Sequence, residues 1–352
     1  MSTEIVKIEN ASEFDAFVQS CPKGHMMQSS AWGKVKNNWK WRGIICRDEN
    51  GTVKGVCAVL LRKLPMMPWS MMYAPRGPVC DLDDEATVTE LLTAARDFGK
   101  ANRAYAITVD TDALASNEKY INLLKKLGFV FKDNNSDYNT IQSRYIFRMD
   151  LEGCDEESAM MLIHSKARNC VRKAIKEGVE IVEKGVESVD EFHKIMLITG
   201  ERDNFATRGP DYFRRVMEAF GDDARICFAY YNGEAIGCTL HVRCGDKVWW
   251  LYGASSNAHR ELQPNYLLQW EAIKWTMSKG CRWYDLRGGY PDENNPLHGI
   301  FMFKKKFCRE YMEFMGEADL IISKPAAFIV NLAKKILKKT KGIRAKIVNR
   351  SK

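Results

Sequence analysis

The sequence predicts an α+β fold made of two similar units in tandem, and three observations support this prediction. An Asn-Gly pair followed four residues later by a second glycine occurs in both "NGTVKGVCAVL" (50–60) and "NGEAIGCTLHV" (232–242). Each pair lies between β-rich runs and indicates a tight hairpin, because both turn residues must tolerate positive φ. The elements after the two hairpins come in the same order. A chain of 352 residues is also long enough for two domains with separate cores.

The matching elements are a strand, a helix and a further strand. In the first half they are "MMYAPRGPV" (71–79), a helix within 85–103 and the strand 104–110; in the second they are "VWWLYGASS" (248–256), a helix within 264–280 and the strand 281–287. Apolar residues at helical spacing support both helices. They are Val88, Leu91, Leu92 and Ala95 in the first helix, and Leu267, Trp270, Ala272, Ile273 and Trp275 in the second. This order is typical of an acetyltransferase-like (GNAT-type) domain, so we expect two such domains, each a mixed sheet flanked by helices.

The boundary between the two domains is predicted near Asp150. There the segment "MDLEGCDEES" interrupts the apolar pattern with acidic residues and a glycine. We therefore expect a first domain over 1–150 and a second over 151–320.

The positive charge of the chain is concentrated at its C-terminal end. Residues 320–352 hold ten of the 53 basic residues and none of the 45 acidic ones. An apolar stripe there (Ile329, Leu332, Ala333, Ile336) lies opposite lysines (Lys334, Lys335, Lys338, Lys339). Such a helix lies on anionic lipid or follows phosphates, but a terminal helix packed on the body with a solvated lysine face has the same pattern. Both interpretations stay open.

A second basic stripe is internal. Arg168, Arg172 and Lys176 recur every four residues and share one face of a predicted helix. We expect the apolar residues Val171, Ala174 and Ile175 to face inward. The stripe could bind a nucleic-acid backbone as point charges without reading its sequence.

Several classes of protein lack their usual signatures in this chain. The N-terminus has no basic and apolar leader, and no apolar run approaches the roughly 18 residues of a spanning helix. Eleven cysteines without a C-x-x-C pair suit a reducing compartment, and we expect a cytoplasmic protein. We expect no metal site at Cys238, His241 and Cys244, because on a strand His241 faces away from the two cysteines. Walker, G-x-G-x-x-G and G-x-S-x-G motifs are absent.

The loops that would bind coenzyme A also lack their usual residues. The pyrophosphate of that carrier needs a glycine-rich turn at a helix N-terminus, where backbone amides approach closely. The corresponding turns here are "PVCDLDDEA" (78–86) and "NAHRELQPN" (257–265), which contain no glycine, and the first adds four acidic residues. The acyl group is therefore expected on another carrier, and no cofactor is predicted.

Motifs spread over nearly the whole chain resemble those of the FemABX family of peptidoglycan bridge-forming, aminoacyl-tRNA-dependent aminoacyltransferases. They are "QSSAWGKVK" (28–36), "YAPRGPV" (73–79), "SKARNCVRKAIKEGVEI" (165–181), "ERDNFATRGPDYF" (201–213), "LYGASS" (251–256), "PNYLLQWEAIKW" (264–275), "YDLRGG" (284–289) and "GIFMFKKKF" (299–307). The resemblance implies two acyltransferase-like domains, with the tail 321–352 joining the first. No segment resembles the helical arm of longer members, so the chain resembles the short, FemX-like subtype.

The resemblance implies cytoplasmic transfer of an amino acid from aminoacyl-tRNA to the stem-peptide amine of a muramyl-pentapeptide precursor, UDP-linked or lipid-linked. By position, Lys36 and Arg208 would hold the diphosphate. An arginine fork and a point charge suit such a group. The residues implied to line the substrate groove are Tyr105, Tyr212, Tyr252 and Phe303. The Arg168, Arg172 and Lys176 stripe would contact tRNA or another anion.

Attack of an amine on an ester needs a deprotonated amine and a stabilised oxyanion. Asp110 matches the family position that orients or deprotonates the amine. The family usually has proline after it, whereas this chain has Thr111, which makes Asp112 a rival. Lys304 matches the lysine near the tetrahedral intermediate, and Cys308 stands where the family commonly has glycine.

Two other functions stay open at this point. A coenzyme A-dependent N-acyltransferase would keep the fold and use a thioester. A non-catalytic module would use the basic tail to bind membrane or nucleic acid. For the transferase, the expected partners are aminoacyl-tRNA and the UDP-MurNAc-pentapeptide or lipid-linked precursor. A peripheral contact of the tail with the inner face of the membrane is a further alternative.

Overall fold

The computed structural model describes residues 1–132 and 140–336. Within these residues the strands are β1 (Ser2–Val6), β2 (Lys40–Arg47), β3 (Val53–Lys63), β4 (Ser70–Ala74), β5 (Val79–Cys80), β6 (Ala104–Val109), β7 (Val130–Phe131), β8 (Tyr145–Asp150), β9 (Glu180–Lys184), β10 (Ala224–Tyr231), β11 (Glu234–Cys244), β12 (Lys247–Ser255), β13 (Trp283–Gly289), β14 (Met312–Glu313) and β15 (Ala318–Ile321). The α-helices are α1 (Ser12–Ser20), α2 (Ser30–Val35), α3 (Glu85–Ala101), α4 (Glu118–Lys126), α5 (Glu156–Leu162), α6 (Ser165–Lys176), α7 (Val189–Arg202), α8 (Pro210–Phe220), α9 (Pro264–Ser278), α10 (His298–Lys305) and α11 (324–336).

The strands form two mixed sheets that repeat one arrangement. The first sheet has the order β1-β2-β3-β4-β6-β15-β7, with β5 on β3, and the second has the order β14-β8-β13-β12-β11-β10-β9. Neighbours are antiparallel except for β4 with β6 and β12 with β13, which are parallel. The run β2-β3-β4-α3-β6 thus matches β10-β11-β12-α9-β13, and the predicted tandem α+β fold is confirmed.

The two hairpins differ in their turns. Asn232 and Gly233 form a two-residue turn in which both φ angles are positive, at 49° and 79°. The first hairpin has a longer loop, where the Asp48 carboxylate accepts backbone N–H bonds from Asn50 and Thr52. The later Gly55 is needed for a close approach, because a Cβ there would lie 2.6 Å from the Cβ of Cys80.

The apolar residues form one core on each sheet and a third core between the sheets. The first sheet packs on α3, whose Val88, Leu91, Leu92 and Ala95 are all buried as predicted. In the second sheet α9 is buried on nearly all sides. The third core contains residues from both halves of the chain. Its large members include Phe14, Trp32, Trp41, Phe192, Phe213 and Trp249.

Strand pairing bears on the domain bounds proposed from the sequence. Strand β8, which ends at Asp150, pairs with β13 in the second sheet. Strand β15, far along the chain, returns to the first sheet beside β6 and β7. The division at residue 150 stays a proposal. The chain passes from the first sheet to the second before Tyr145, and it returns to the first sheet between Glu313 and Ala318.

The C-terminal helix packs on the first sheet, but through other residues than the predicted stripe. Small side chains of α11 (Ala326, Ala327, Val330) are buried beside Tyr105 and Ala106. Ile329 and Leu332, by contrast, are 44 % and 49 % exposed. The basic residues from Lys338 onward lie outside the described residues. No helix in the described ranges is long and apolar enough to cross a membrane.

Candidate active site

A cavity of about 690 Å³ opens where β12 and β13 separate. These parallel strands pair only from Lys247 to Trp249 on β12, and beyond that point they diverge. The walls come from Trp249–Ser255, from Asp285, Arg287 and Gly288, and from the loop before α8. Residues His25, Met27 and Arg76 close the cavity from the side of the first sheet. The site therefore requires both halves of the chain.

Lys304, on α10, is the predicted catalytic lysine and lines this cavity. Its side chain is buried, and Nζ donates a hydrogen bond of 2.6 Å to the carbonyl of Gly288. The ammonium also lies 5.2 Å from the ring centre of Trp250. Burial lowers the pKa of Lys304 to about 7, with a further contribution from Arg287 that outweighs Asp285. Near neutral pH this lysine can therefore give up or accept a proton.

Arg208 and Arg287 line one side of the cavity, and together with Lys36, which lies close enough to be repelled by both, they form a cationic group. Burial, followed by repulsion from Arg208 and Arg287, lowers the pKa of Lys36 to about 8. The positive charge of Arg287 also lowers the pKa of Lys304, so this arginine repels both lysines. Its backbone has φ of 61° and is held there by a 2.6 Å hydrogen bond from its N–H to Asp285. Such mutual repulsion is relieved when an anion binds.

The predicted aromatic residues of the groove adjoin this cationic group. The ring of Tyr212 lies under both Lys36 and Arg208, at 5.4 and 5.5 Å. Tyr252 contacts Tyr212 edge to face and lines the cavity. Phe303 lines the same cavity beside Trp250. Of the six predicted substrate-binding residues, Arg208, Tyr252 and Phe303 line the cavity. Lys36 and Tyr212 adjoin these residues without lining it.

The sixth, Tyr105, is not brought to the cavity. It is buried under α11, and its hydroxyl accepts a 3.0 Å hydrogen bond from Lys334. The tyrosine lies at the start of β6, while Asp110 directly follows the other end of that strand. Tyr105 is therefore positioned to fix the C-terminal helix.

Asp110 is buried and lies behind the cavity wall. One carboxylate oxygen accepts a 2.7 Å hydrogen bond from the hydroxyl of Tyr73, and the other accepts one of 2.7 Å from the backbone N–H of Arg76. Burial raises the pKa of Asp110, against the opposing effect of Arg76. Asp110 contacts the cavity through Arg76, which lines it.

The rival Asp112 belongs to a buried ion pair. Arg148 donates to both oxygens of Asp112, at 2.7 and 3.4 Å, and also donates to Asp285 at 3.0 Å. Burial opposes ionisation of Asp112, but Arg148 outweighs it, and the pKa of Asp112 lies well below its usual value. A carboxylate so strongly paired is a weak base.

The basic stripe on α6 lies on the surface, away from the cavity. Arg172 and Lys176 are exposed, whereas Arg168 is half-buried and donates to the carbonyls of Met161 and Ile163. Ile175, which was expected to face inward, is 56 % exposed. That prediction was wrong because Ala167, Val171 and Ala174 are the residues of α6 that are buried in the second core, and Ile175 lies outside this face.

The helix that would receive a coenzyme A pyrophosphate in the first half is capped by its own sequence. The carboxylate of Asp84 accepts hydrogen bonds from the backbone N–H and the hydroxyl of Thr87, at 3.1 and 2.7 Å. The first of these bonds satisfies a free backbone N–H group at the N-terminus of α3, and the carboxylate places a negative charge where phosphate would bind. In the second half α9 begins with Pro264, which has no N–H to donate.

Comparison with known proteins identifies the family. The model of the FemAB family matches residues 10–241 and 231–335. The chain belongs to the FemAB family. A relative from Staphylococcus haemolyticus, a lipid II:glycine glycyltransferase, is 27 % identical over 405 residues, covering 94 % of this chain and 96 % of the relative. The family predicted from the motifs is therefore confirmed.

Solved structures agree with this FemAB-family assignment. The crystal structure of FemX matches with a TM-score of 0.86 and 25 % identity, covering 94 % of this chain and all of that one. A tandem GNAT protein from the clavulanic acid biosynthesis pathway matches with a TM-score of 0.54 and 11 % identity, covering 92 % of this chain and 99 % of that one. The second likeness concerns the fold alone.

Five residues of this FemAB-family site carry no role in the sequence-based prediction. They are His25, Arg76, Arg148, Asp285 and Arg287. Three of them lie inside recognised motifs, "YAPRGPV" and "YDLRGG", so their charge was a signal that could have been used. Arg148 gave no local signal, because its partners are 36 and 137 residues away.

His25 enters the site through a contact with a residue that is distant in sequence, Trp249. Its Nδ1 accepts the backbone N–H of Met27 at 3.0 Å, and its ring lies 4.7 Å from that of Trp249. Burial lowers the pKa of His25 well below its usual value. The ring is therefore neutral and carries its proton on Nε2.

Proposed function

We propose that this chain transfers an amino acid from aminoacyl-tRNA to the stem-peptide amine of a muramyl-pentapeptide precursor and so forms an interpeptide bridge. The observation that supports the proposal is the cavity between β12 and β13, which contains a buried lysine of near-neutral pKa and adjoins a cationic group. The relative from Staphylococcus haemolyticus acts with glycine on lipid II. Glycine and a lipid-linked acceptor are therefore the first substrates to test.

In this proposal the acceptor's diphosphate binds at Lys36, Arg208 and Arg287. Guanidinium forks and an ammonium match its oxygens in geometry and charge. Tyr212 and Tyr252 present flat faces and polar tips for the adjoining sugar and nucleotide. Phe303 supports the peptide near Lys304, and Tyr105 is left out of the binding site.

The reaction forms a bond between the acceptor nitrogen and the ester carbonyl carbon, and it breaks the bond from that carbon to the tRNA oxygen. The amine loses a proton, and the departing tRNA oxygen gains one. We assign Lys304, as its cation, to stabilise the oxyanion of the tetrahedral intermediate. A nearby bound diphosphate favours this charged form by raising the pKa of Lys304.

The two aspartates act as positioning residues in our proposal. Asp110 receives the backbone N–H of Arg76, and Asp112 holds the guanidinium of Arg148. Both arginines line the cavity, so each carboxylate acts on the substrate through its arginine. Arg172 and Lys176, exposed on α6, are proposed contacts of the tRNA backbone.

The test is transfer of radiolabelled glycine from charged tRNA to lipid II and, separately, to UDP-MurNAc-pentapeptide. The wild type and Lys305→Met should give labelled product at similar rates, whereas Lys304→Met should give it about 10²- to 10³-fold more slowly. Lys305 is exposed at the next position of the same helix, so it is a matched control. Absence of transfer from any charged tRNA would overturn the proposal. Tight calorimetric binding of acetyl-coenzyme A would instead favour a thioester-dependent N-acyltransferase.

A further inference from the structure

The C-terminal helix α11 has apolar side chains on two opposite faces. Its packed face uses small residues, Ala326, Ala327 and Val330, against the first sheet. Its outward face carries larger ones, which are 72 %, 44 % and 49 % exposed. These residues, Phe328, Ile329 and Leu332, are named the outer stripe. At about 100° per residue, the centre of the outer stripe lies roughly opposite the packed face.

This arrangement is the reverse of that in a helix that only covers a core. The free energy gained by burial grows with apolar area, so such a helix directs its largest apolar side chains inward. Here a phenylalanine, an isoleucine and a leucine point outward while two alanines and a valine are packed. The outer stripe is therefore suited to an apolar partner outside the fold.

Charge around the outer stripe indicates the nature of that partner. Lys324 and Lys335 lie on α11 between the packed face and the outer stripe, and both are exposed. Residues 320–352 contain ten basic residues and no acidic one. An apolar stripe with lysines at its side is complementary to an anionic bilayer, whose interface accepts the apolar groups while its headgroups attract the cations.

A loop beside α11 adds a further exposed apolar side chain. Met66 lies between β3 and β4 and is 104 % exposed, at a positive φ of 58°. Its neighbours Leu64 and Met67 pack on the same small cluster as α11. The loop and the helix thus lie at the same end of strands β3, β4 and β6 of the first sheet.

We propose that the outer stripe of α11, together with the Met66 loop, docks on an anionic lipid bilayer. Phosphate backbones of nucleic acid attract lysines, but they offer nothing to Ile329 or Leu332. The bilayer interface accepts both kinds of group. The inference extends the proposed function to the membrane that carries a lipid-linked acceptor. It is tested on the full chain without any transfer reaction.

The experiment is co-sedimentation with phosphatidylcholine vesicles, with and without phosphatidylglycerol. The wild type should partition onto the anionic vesicles more strongly and release as salt rises. The double variant Phe328→Ser/Leu332→Ser should lower the partition coefficient about 100-fold, or about tenfold for each lost side chain. The control is Val130→Ser/Met161→Ser, which removes apolar groups that are 66 % and 58 % exposed elsewhere and should bind as the wild type does.

Equal sedimentation of the wild type and the Phe328→Ser/Leu332→Ser variant would overturn the inference, as would a wild type that ignores anionic vesicles. So would a variant that loses affinity for tRNA in a gel shift while keeping its affinity for vesicles. The circular dichroism spectrum and the thermal unfolding midpoint should be unchanged in the variant, which shows that it is folded. A wild type that binds vesicles but transfers nothing would leave this inference standing and would count against the proposed function alone.

Discussion

Replacing Lys304 with methionine tests the site through stability and turnover together. The substitution keeps the length of the side chain and removes a charge that is buried beside Trp250 and Arg287. Burial lowers the pKa of Lys304 from 10.5 to about 7, so below pH 7 the folded protein holds a cation that water would solvate better. Lys304→Met should therefore be more stable than the wild type at pH 6.

The size of this effect depends on pH with a definite sign. Above pH 7 the folded chain has released the Lys304 proton while the unfolded chain still binds it, so wild-type stability rises with pH. The gain is about 1.4 kcal/mol for each pH unit, or about 3 kcal/mol at pH 9. Methionine carries no proton, so the advantage of the variant should shrink by about 3 kcal/mol between pH 6 and pH 9.

Urea unfolding at the two pH values measures this difference. Tryptophan fluorescence and circular dichroism should give coincident transitions, which justifies a two-state free energy. Turnover should fall about 10²- to 10³-fold in the same variant, because a group that stabilises the oxyanion is lost. An advantage that is equal at pH 6 and pH 9 would refute the reasoning. A loss of stability alongside turnover would assign Lys304 a structural role.

Three further predictions concern the groups around Lys304. Binding of UDP-MurNAc-pentapeptide at pH 8 should take up about one proton, because Lys36 and Lys304 have pKa values of about 8 and 7 and a bound anion raises both. A calorimetric binding enthalpy that is the same in buffers of different ionisation enthalpy would contradict this prediction. Asp112→Asn should lower the free energy of unfolding at pH 7 by about 3 kcal/mol. Because the folded-state pKa of Asp112 is lowered, this variant should also lose less stability than the wild type as pH falls through about 3.9, as thermal unfolding would show. Arg208→Ala should raise KM for the acceptor about tenfold at nearly constant kcat. The control Arg214→Ala, at an ion-paired position on α8, should change neither constant. A loss confined to kcat would oppose a binding role for Arg208.

The parts of the fold that the sequence predicts well are those determined by neighbouring residues. The stripe Val88, Leu91, Leu92 and Ala95 predicts the buried face of α3 from local spacing, and all four residues are buried, together with Thr87 and Gly99. The Asn232-Gly233 turn likewise requires only two residues that accept positive φ. Recurrence of such local patterns in the same order revealed the duplication without any long-range information.

Long-range pairing limits the same approach. Strand β8 follows the first unit in sequence, yet its hydrogen-bonding partner β13 lies more than 130 residues further along the chain. Ile329 and Leu332 satisfy a helical apolar pattern, but the pattern does not say which of two apolar faces packs. Arg148 acquires a role only when Asp112 and Asp285 converge on it from different sheets.

The two similar units differ in that only the second contains the cavity between its parallel strands, and the pairing of these strands explains the difference. In the first sheet β4 pairs with β6 from Ser70 to Ala74, so no cleft opens between them. In the second sheet the equivalent strands separate after Trp249, and the cavity occupies the opening. The end of the closed pair instead carries Tyr73 and Asp110, whose hydrogen bonds hold Arg76 against that opening.

This division makes each half dependent on the other. A second unit expressed alone would leave Arg148 without Asp112 and would expose Trp249, which the first unit covers through His25. The ion pair is buried, so loss of one partner is costly. We therefore expect the residues 145–316 alone to be poorly folded and to lack the cavity, although they contain Lys304 and most of its walls.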